Sequence, residues 1–391
     1  MVGFRYNFIE VKKMKLLKFK VLSGYKMLEK GFEVNFLTKT RINKSLENDE
    51  LIELEPGFYY PLETIFIGKN SSGKSTVLLL INLILGFIRT GRIPVSFMGD
   101  QLELELDLLF YDKGYIYSYA GRFAKSGMSD SPFMSIKEES LGKAPYKENL
   151  KKDLSNISFQ KENVTQSITG GDTSIIANYR FNDTSILVDL ISLDTRNLAS
   201  TIETIMELYG EDAFNTLVRL FDDSVESVST IRLDDSTAAF RFKRVNQKEM
   251  VVNNSYLRER LSSGTYRGIY LFSSSLIAFL KGGDILIDEI EKSFNRNLIE
   301  NLLILFKDKR INKMHASLVY STHYAELLDH GSRCDNINVL HRNGDVITIK
   351  NLSSSYGIRT DLSKSSQFEQ NAFDNLTNYD RLMDLRRLLL K

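Results

Sequence analysis

The chain contains a glycine-rich loop that reads Gly68-Lys69-Asn70-Ser71-Ser72-Gly73-Lys74-Ser75-Thr76. It follows the β-rich run 63–67 and precedes the apolar stretch 77–88, which has the length of a helix. The spacing fits G-x-x-x-x-G-K-S/T, in which a curled backbone and a helix N-terminus direct N–H groups at phosphate oxygens. The lysine of such a loop reaches the β- and γ-phosphates, and the next hydroxyl ligates Mg²⁺. The loop therefore predicts a nucleotide-binding strand–loop–helix unit, with Lys74 on the phosphates and Ser75 on the metal.

Two carboxylates follow a second apolar run, the predicted strand 284–288. Ligands of α/β sheets bind at the carboxyl ends of the strands, so Asp288 and Glu289 stand where a site is expected. We expect Asp288 to hold Mg²⁺, directly or through a water, and Glu289 to orient and activate the attacking water. Hydrolysis of a nucleotide needs few groups, because it consists mostly of positioning and charge stabilisation. Taken alone, the two acids would also suit the start of a helix.

A second serine- and glycine-containing loop, Ser262-Ser263-Gly264, precedes a helix predicted over about 266–279. One chain does not need two anion-binding loops for one nucleotide, so we expect this loop to act on the γ-phosphate of a nucleotide in a second protomer. His323 follows the apolar run 317–321 and could hydrogen-bond a γ-phosphate. Taken separately, a helix cap and a surface histidine are the more ordinary interpretations. The order of all these elements along the chain favours the functional interpretation of the loop and of the histidine.

Composition restricts the class of protein. The 391 residues carry 51 Lys and Arg against 50 Asp and Glu, a formal charge of +1, so bulk charge does not indicate nucleic-acid binding. A hydrophobic fraction of 42% indicates a sizeable core. The single cysteine, Cys334, excludes an intramolecular disulfide and a zinc site of several thiolates, and predicts a reducing, cytoplasmic compartment. The most apolar stretches, 77–88 and 269–280, fall short of the roughly 20 residues of a transmembrane helix, so no membrane partner is expected.

Hydropathy patterns predict the order of elements. Residues 102–111 and 114–123 alternate like the two strands of a hairpin, and 201–221 is typical of a helix. The second half alternates strands and helices, which predicts an α/β sheet. Residues 124–184 are rich in Ser, Lys, Asn and Asp and are predicted to be a surface insertion. We predict four segments: an N-terminal lobe 1–123, an insertion 124–255 that is loop-rich and then helical, a C-terminal lobe 256–350, and a helical tail 351–391.

In order and spacing, these motifs resemble those of the ABC-type ATPase superfamily. The first loop is similar to its Walker A motif, 261–265 to its signature, 285–289 to its Walker B motif, and His323 to its switch histidine. Within the superfamily, 261–267 and 287–294 resemble the AAA-15/AAA-21 group. That group includes the ATPase halves of OLD-family proteins and of Septu-, PARIS- and abortive-infection-type phage-defence systems.

The resemblance implies an ABC-type P-loop ATPase head with a mixed central sheet, an antiparallel β-subdomain and an α/β insertion between Walker A and the signature. It implies that the whole Walker A loop binds ATP, that Ser75 and Asp288 bind Mg²⁺, and that Glu289 and His323 are catalytic. The signature residues Ser262, Ser263 and Gly264 would act on the ATP of a second protomer, which predicts an ATP-dependent homodimer or higher oligomer.

The resemblance also implies a biological role. OLD nucleases carry a Toprim domain after the ATPase, whereas the 68 residues that follow His323 are too few for one. We therefore expect a sensor or regulatory ATPase of an anti-phage defence system, acting with a separate effector, a nuclease. The alternatives are a genome-maintenance ATPase resembling SMC-like proteins and a nucleotide-gated scaffold with little turnover. A transporter subunit would have Leu-Ser-Gly-Gly-Gln and a proline after the Walker B acids, and this chain has neither.

Three clusters of basic residues could contact nucleic acid: Lys12 to Lys20, Lys151-Lys152, and Arg241 with Lys243 and Arg244. Solvated strand and loop surface is the more ordinary interpretation of such clusters.

Overall fold

A computed structural model describes residues 14–23, 25–38, 49–125, 131–147, 159, 164–167, 171–181, 183–188, 195–232, 238–292, 294, 296–358, 362–370 and 379–390. The chain divides into two compact units. Unit 1 comprises Met1–Met14 and Asn182–Tyr320, and unit 2 comprises Lys15–Phe181 and Ser321–Lys391. The four predicted segments of the chain stay a prediction.

The strands, numbered in chain order, are β1 (Lys15–Val21), β2 (Phe32–Asn35), β3 (Leu51–Glu55), β4 (Phe58–Pro61), β5 (Glu63–Gly68), β6 (Glu103–Asp112), β7 (Tyr115–Ala124), β8 (Ser135–Pro145), β9 (Val164–Ser167), β10 (Ile186–Val188), β11 (Val225–Arg232), β12 (Ala238–Arg244), β13 (Met250–Val252), β14 (Asp284–Ile287), β15 (Ser317–Thr322), β16 (Ile337–Asn343) and β17 (Val346–Asn351). The α-helices are α1 (Lys74–Thr90), α2 (Thr195–Tyr209), α3 (Glu211–Phe221), α4 (Asn254–Arg260), α5 (Ser263–Lys281), α6 (Arg296–Lys307), α7 (Leu352–Tyr356), α8 (Lys364–Glu369) and α9 (Tyr379–Leu389). Short 3₁₀ helices cover Val95–Met98, Ile175–Tyr179, Ile290–Lys292 and Ala325–Asp329.

Unit 2 contains an antiparallel sheet with the strand order β2-β1-β6-β7-β8-β9. The predicted hairpin is confirmed, because β6 and β7 pair along their whole length and Asp112 lies opposite Tyr115. Lys113 and Gly114 both have positive φ, of 47° and 83°, as a two-residue hairpin turn that follows the strand twist requires. Alternate residues of β6 are buried, so one face of this sheet is apolar.

One strand, β8, lies where the sequence predicts a surface insertion. This strand lies inside the polar segment 124–184, yet it pairs with β7 over its length and buries Ile136 and Leu141. Its polar composition is compatible with burial because Glu139 lies opposite Gly121 in the ladder and its carboxylate is hydrogen-bonded. Much of the remaining segment, including 148–158 and Gly170, lies outside the described residues.

Glu139 is one of the buried charged side chains of unit 2, with an exposed fraction of 4%. Its carboxylate accepts hydrogen bonds from the Tyr119 hydroxyl at 3.0 Å, the Ile175 backbone N–H at 3.0 Å and the Ser174 hydroxyl. A buried carboxylate is tolerated only with such partners. Burial beside this carboxylate also raises the pKa of Tyr119 above its ordinary value.

Helix α1 packs on the antiparallel sheet. The Phe87 ring lies 5.1 Å from the Tyr119 ring and 5.4 Å from the Phe123 ring, measured between centroids. All three side chains are buried, and the edge-to-face arrangement of Phe87 and Phe123 is one that aromatic pairs prefer. The helix ends at Gly91, whose φ of 70° and N–H bond to the Phe87 carbonyl form a left-handed cap. The predicted apolar helix is confirmed.

A second group of strands in unit 2 is formed by β5, β16 and β17. Strand β16 runs parallel to β5, with Leu340 opposite Gly68, and pairs with β17 as an antiparallel hairpin. Strand β5 is buried at every position, and its centre is the apolar run Ile65-Phe66-Ile67.

Unit 1 contains the parallel strands β10, β14 and β15, and an antiparallel sheet of β11, β12 and β13. Strand β14 lies between β10 and β15 and is buried throughout, as its Asp-Ile-Leu-Ile sequence requires. Its first residue is accommodated because the Ser317 hydroxyl donates to the Asp284 carboxylate. The predicted helix 201–221 is instead two helices, α2 and α3, because Gly210 has a φ of 87° between them.

Parallel strands, helices and antiparallel sheets together confirm the predicted mixed α/β class. Among the described residues, no helix is at once long enough and apolar enough to cross a membrane.

We predict that Phe87→Ala lowers the free energy of unfolding by about 3–5 kcal/mol, because it removes a buried ring and leaves a cavity between α1 and β7. The matched control is Leu102→Ala, which truncates a side chain that is 67% exposed and should change stability by less than about 0.5 kcal/mol. Urea denaturation followed by circular dichroism measures both. A loss below 1 kcal/mol for Phe87→Ala would contradict the packing of α1 on this sheet.

Candidate functional site

The Walker A loop (Gly68–Thr76) begins at the last residue of β5 and ends in the first turn of α1. Two residues of the loop have left-handed backbone, Ser71 with a φ of 63° and Gly73 with a φ of 99°. Left-handed residues turn successive N–H groups to the same side, which makes a concave surface for an anion. The loop therefore has the backbone shape that its sequence predicts.

Gly68 and Gly73 stand where a side chain would not fit. A Cβ at Gly68 would lie 2.5 Å from the Leu340 carbonyl oxygen, and a Cβ at Gly73 would lie 2.5 Å from Cδ1 of Ile347. Contacts under 3.0 Å force neighbouring atoms to move. The two glycines are thus required by the approach of β16 and β17, in addition to the left-handed φ at Gly73.

The amino end of α1 has N–H groups available for an anion. Gly73 is the N-cap residue, and no side chain of the described residues caps the helix there. The side chain of Ser75 is exposed at this end, so its hydroxyl is accessible to a metal ion or a phosphate. The helix dipole favours negative charge at this position.

Lys74 is directed back across the loop. Its ammonium donates to the Gly68 carbonyl at 3.0 Å and to the Lys69 carbonyl at 3.1 Å, and the residue is 5% exposed. A buried cation is stable only where opposite charge or acceptors surround it. Phosphate oxygens would supply that charge, so the residues present fit the triphosphate of a nucleotide.

Ser72 supports the same fit. Its side chain is 1% exposed, and its Oγ has no hydrogen-bond partner among the described residues. A buried hydroxyl without a partner costs about 1–3 kcal/mol, which a ligand or a water at the loop would recover.

The two acids of the predicted Walker B motif follow β14 in unit 1. Asp288 and Glu289 are half-buried in a bend between β14 and the 3₁₀ helix Ile290–Lys292. Glu289 has a φ of 48°, which is uncommon for a residue with a side chain and is found at functional sites. The structure thus places both acids at the carboxyl end of a buried parallel strand, as predicted.

Glu289 forms an ion pair with Lys292, the last residue of that 3₁₀ helix. The hydrogen bond from the Lys292 ammonium to this carboxylate raises the pKa of Lys292. Lys292 is half-exposed, so solvent screens the pair and it contributes little to stability. This ion pair was not predicted, although the spacing of three residues could have indicated it.

The predicted signature loop begins α5. The Ser262 hydroxyl accepts a hydrogen bond from the Thr265 backbone N–H at 3.0 Å and therefore caps the helix. Ser262 and Ser263 are exposed, and Gly264 is half-buried. The loop is thus a capped helix start whose hydroxyl groups remain accessible to a second molecule.

His323 directly follows β15 and is half-buried. The next residue is fixed by a hydrogen bond from the Tyr324 N–H to the Thr322 hydroxyl at 3.0 Å. The histidine is thus at the carboxyl end of a buried strand, as the sequence predicts.

The basic clusters are partly neutralised by neighbouring acids. Lys243 lies 2.5 Å from a Glu226 carboxylate oxygen, and Arg244 lies 3.4 Å from a carboxylate oxygen of Asp222. Lys18 pairs with Glu33 at 3.5 Å. Paired cations attract a phosphate backbone less than free ones do, so these contacts favour the solvated-surface interpretation. Lys12, Lys13, Lys151 and Lys152 lie outside the described residues.

A pocket beside the Walker A loop was not predicted. It has a volume of about 630 Å³ and is lined by Lys69–Ser72 together with residues of the β16–β17 hairpin. Nothing in the sequence of the hairpin indicates that it lies against the loop. Only the pairing of β16 with β5 brings it there.

The donors for a metal ion are few. In the part of the chain that the structure describes, no cluster of three or more His, Cys, Asp or Glu side chains could hold a metal by itself. A serine hydroxyl and a carboxylate are oxygen ligands, which Mg²⁺ prefers, and Mg²⁺ commonly completes its shell with water and substrate phosphates. Ser75 in unit 2 and Asp288 in unit 1 each carry an oxygen ligand of the kind that Mg²⁺ prefers.

Comparisons with solved structures give distant likenesses. The SMC head domain from Thermotoga maritima has a TM-score of 0.42 at 13% identity, covering 86% of this chain and 98% of that chain. The recombination mediator protein RecF-ATPrS of the RecFOR pathway has a TM-score of 0.42 at 10% identity, covering 87% and 99%. RecF-ATP has a TM-score of 0.38 at 11% identity, covering 79% and 94%.

One curated protein also matches in sequence. The 227 kDa spindle- and centromere-associated protein of Parascaris univalens is 27% identical over 167 residues, which are 40% of this chain. The match spans 8% of that protein's length.

A protein-family comparison covers more of the chain. The family described as "AAA domain, putative AbiEii toxin, Type IV TA system" matches residues 64–329. The match includes the Walker A loop, the capped start of α5, both acids after β14 and His323, and it extends over more than half of the chain. The chain therefore belongs to this AAA-domain family.

Proposed function

We propose that the protein binds and hydrolyses ATP as an ABC-type ATPase. The observation that carries the proposal is the state of the Walker A loop, whose buried Lys74 ammonium is held by loop carbonyls beside an α1 N-terminus without a side-chain cap. A buried positive charge next to accessible N–H groups attracts a polyanion. Membership of the AAA-domain family supports ATP as that polyanion.

In this proposal, the Walker A loop binds the phosphates, and Ser75 and Asp288 bind Mg²⁺. The metal neutralises charge that develops on the phosphate oxygens. Glu289 orients the attacking water and accepts its proton, and His323 hydrogen-bonds the γ-phosphate.

Self-association completes the proposed site. Ser262, Ser263 and Gly264 act on the γ-phosphate held by a second protomer, so two ATP molecules join two chains. The exposed hydroxyl groups at the start of α5 support this role, because they are accessible to a partner before ATP binds.

We propose further that the protein is the regulatory ATPase of a two-part anti-phage system, with a separate effector, a nuclease. The description of the family as AbiEii toxin and type IV TA system supports a two-part system. An ATP-dependent clamp can bias a partner only if its open and closed states contact that partner differently.

We predict that Lys74→Ala abolishes tight ATP binding, because backbone dipoles alone cannot neutralise the triphosphate. Isothermal titration calorimetry with ATP and Mg²⁺ measures the affinity. Lys137→Ala is the control. Lys137 is an exposed lysine of β8, so this variant should bind ATP like the wild type. Equal affinities for Lys74→Ala and the wild type would exclude the Walker A loop as the ATP site.

We predict that Glu289→Gln keeps ATP affinity but slows hydrolysis by about 10²–10⁴-fold, the range for loss of a positioned base. Phosphate release measures the rate, and Glu300→Gln on the surface of α6 should leave it unchanged. Light scattering of Glu289→Gln with ATP should detect a dimer that an added Gly264→Asp removes. Unchanged turnover in Glu289→Gln would assign water activation to another group.

We predict that the protein copurifies with the product of a neighbouring gene in only one nucleotide state. Co-expression and affinity purification, with and without ATP, measure the association, and Glu289→Gln should hold one state. If the protein purified alone under every condition and still protected cells unaided, the effector proposal would be wrong.

A further inference from the structure

The pocket beside the Walker A loop has the size of a small-molecule site. Its volume of about 630 Å³ lies within the usual range for ligand pockets. Four consecutive loop residues, Lys69–Ser72, form one wall, and the β16–β17 hairpin forms the other. A molecule whose phosphates lie on the loop would therefore have its remaining part next to this pocket.

The strand register explains how the hairpin forms a wall. Leu340 pairs with Gly68, the last residue of β5, so His341, Arg342 and Asn343 continue β16 beyond the end of β5. The two strands are parallel, and ligands of such sheets bind beyond the carboxyl ends of the strands. The hairpin thus flanks the loop at the edge where a nucleotide is expected.

The hairpin has a polar and an apolar face. His341 lies opposite Thr348, and Lys350 lies two residues further along β17, so the three side chains share the face that lines the pocket. Ile347 belongs to the opposite face, where it lies against Gly73. One face therefore supports the loop, and the other offers donors and acceptors to a ligand.

The polar face carries His341, Thr348 and Lys350, and two of these side chains contact Tyr356 of α7. The His341 Nε2 and the Tyr356 hydroxyl are 2.6 Å apart, and the Lys350 ammonium lies 5.6 Å from the centroid of the Tyr356 ring. Arg342, opposite Ile347 in the register, donates to the Gly344 carbonyl at 2.8 Å. An imidazole, a hydroxyl and an ammonium are groups that bind ribose hydroxyls and base edges.

We propose that this pocket, the hairpin pocket, is the nucleoside subsite of the protein, with base and ribose against His341, Thr348 and Lys350. The inference rests on the proposed ATP function, since the phosphates must lie on the Walker A loop. A nucleoside fits better than a nucleic acid strand, because the pocket has the volume of a small-molecule site and the neighbouring cation Arg342 is paired with Asp345 at 3.6 Å.

The test compares ATP with inorganic triphosphate, which has the phosphates but no nucleoside. Calorimetry measures both affinities for the wild type, Lys350→Ala, Thr348→Phe and the control Lys137→Ala. Thr348→Phe fills the pocket at a half-exposed strand position that suits an aromatic residue. Lys350→Ala truncates an exposed side chain and tests the same pocket without added bulk.

We expect Lys350→Ala to weaken ATP binding by about tenfold, the effect of losing a charged hydrogen bond. Thr348→Phe should reduce ATP affinity to that of triphosphate. Triphosphate affinity should change by less than about twofold in both variants, because salt screens a remote charge. Lys137→Ala should match the wild type for both ligands.

Three results would overturn the inference. Unchanged ATP affinity in both variants would exclude the hairpin pocket as the nucleoside subsite. An equal loss of affinity for ATP and for triphosphate would show that the pocket contacts the phosphates and not the nucleoside. Loss of single-stranded oligonucleotide binding in Lys350→Ala, with ATP binding intact, would assign the pocket to nucleic acid. A wild type that binds neither ATP nor triphosphate would instead refute the proposed function, on which the inference rests.

Discussion

The close approach of the β16–β17 hairpin to the two glycines of the Walker A loop is the constraint on which the site depends. Gly68 lies against the Leu340 carbonyl, and Gly73 lies against the Ile347 side chain. With no Cβ at these positions, the loop can curl tightly enough for Lys74 to reach the carbonyls of Gly68 and Lys69. The phosphate-binding shape is therefore a property of three strands and a helix, and not of the loop alone.

Several buried charged side chains are held by partners. Glu139 accepts hydrogen bonds from three donors, and Arg333 forms an ion pair with Asp335 in which both side chains are at most 3% exposed. Lys74 is also buried, and its ammonium donates to the carbonyls of Gly68 and Lys69. An arriving anion would add Coulomb attraction to these hydrogen bonds, because contacts between opposite charges are stronger than contacts to carbonyl dipoles.

The acids after β14 differ from these structural charges. Glu289 is only half-buried, has left-handed backbone, and forms an ion pair with the half-exposed Lys292. Strained backbone persists where surrounding structure fixes it and is concentrated at functional sites. The start of α5 is also accessible. Ser262 caps its own helix, yet its side chain remains exposed. Both features suit groups whose contacts change when a ligand or a second chain arrives.

Local sequence patterns predicted the elements whose chemistry depends on neighbouring residues. The Walker A spacing, the acids after an apolar strand and the order of strands and helices predicted the strand–loop–helix unit and the mixed α/β class. Such signals are readable because neighbours along the chain create them: glycines permit the turn, and a buried strand places polar residues at its end. The ion pair between Glu289 and Lys292 is also local, because the two residues are three positions apart in the chain.

Contacts between distant segments are set by packing in three dimensions. The polar segment 124–184 has the composition of a loop, but β8 pairs with β7 and buries the Glu139 carboxylate, which accepts hydrogen bonds from Tyr119 and Ser174. The helix predicted over 201–221 is interrupted at Gly210, and this single glycine was too weak a signal to predict the break. The hairpin pocket depends on β16 pairing with β5, although most of the chain separates the two strands. Pairing of this kind is set by the burial of whole strand faces and by hydrogen bonds between them, which no local pattern specifies.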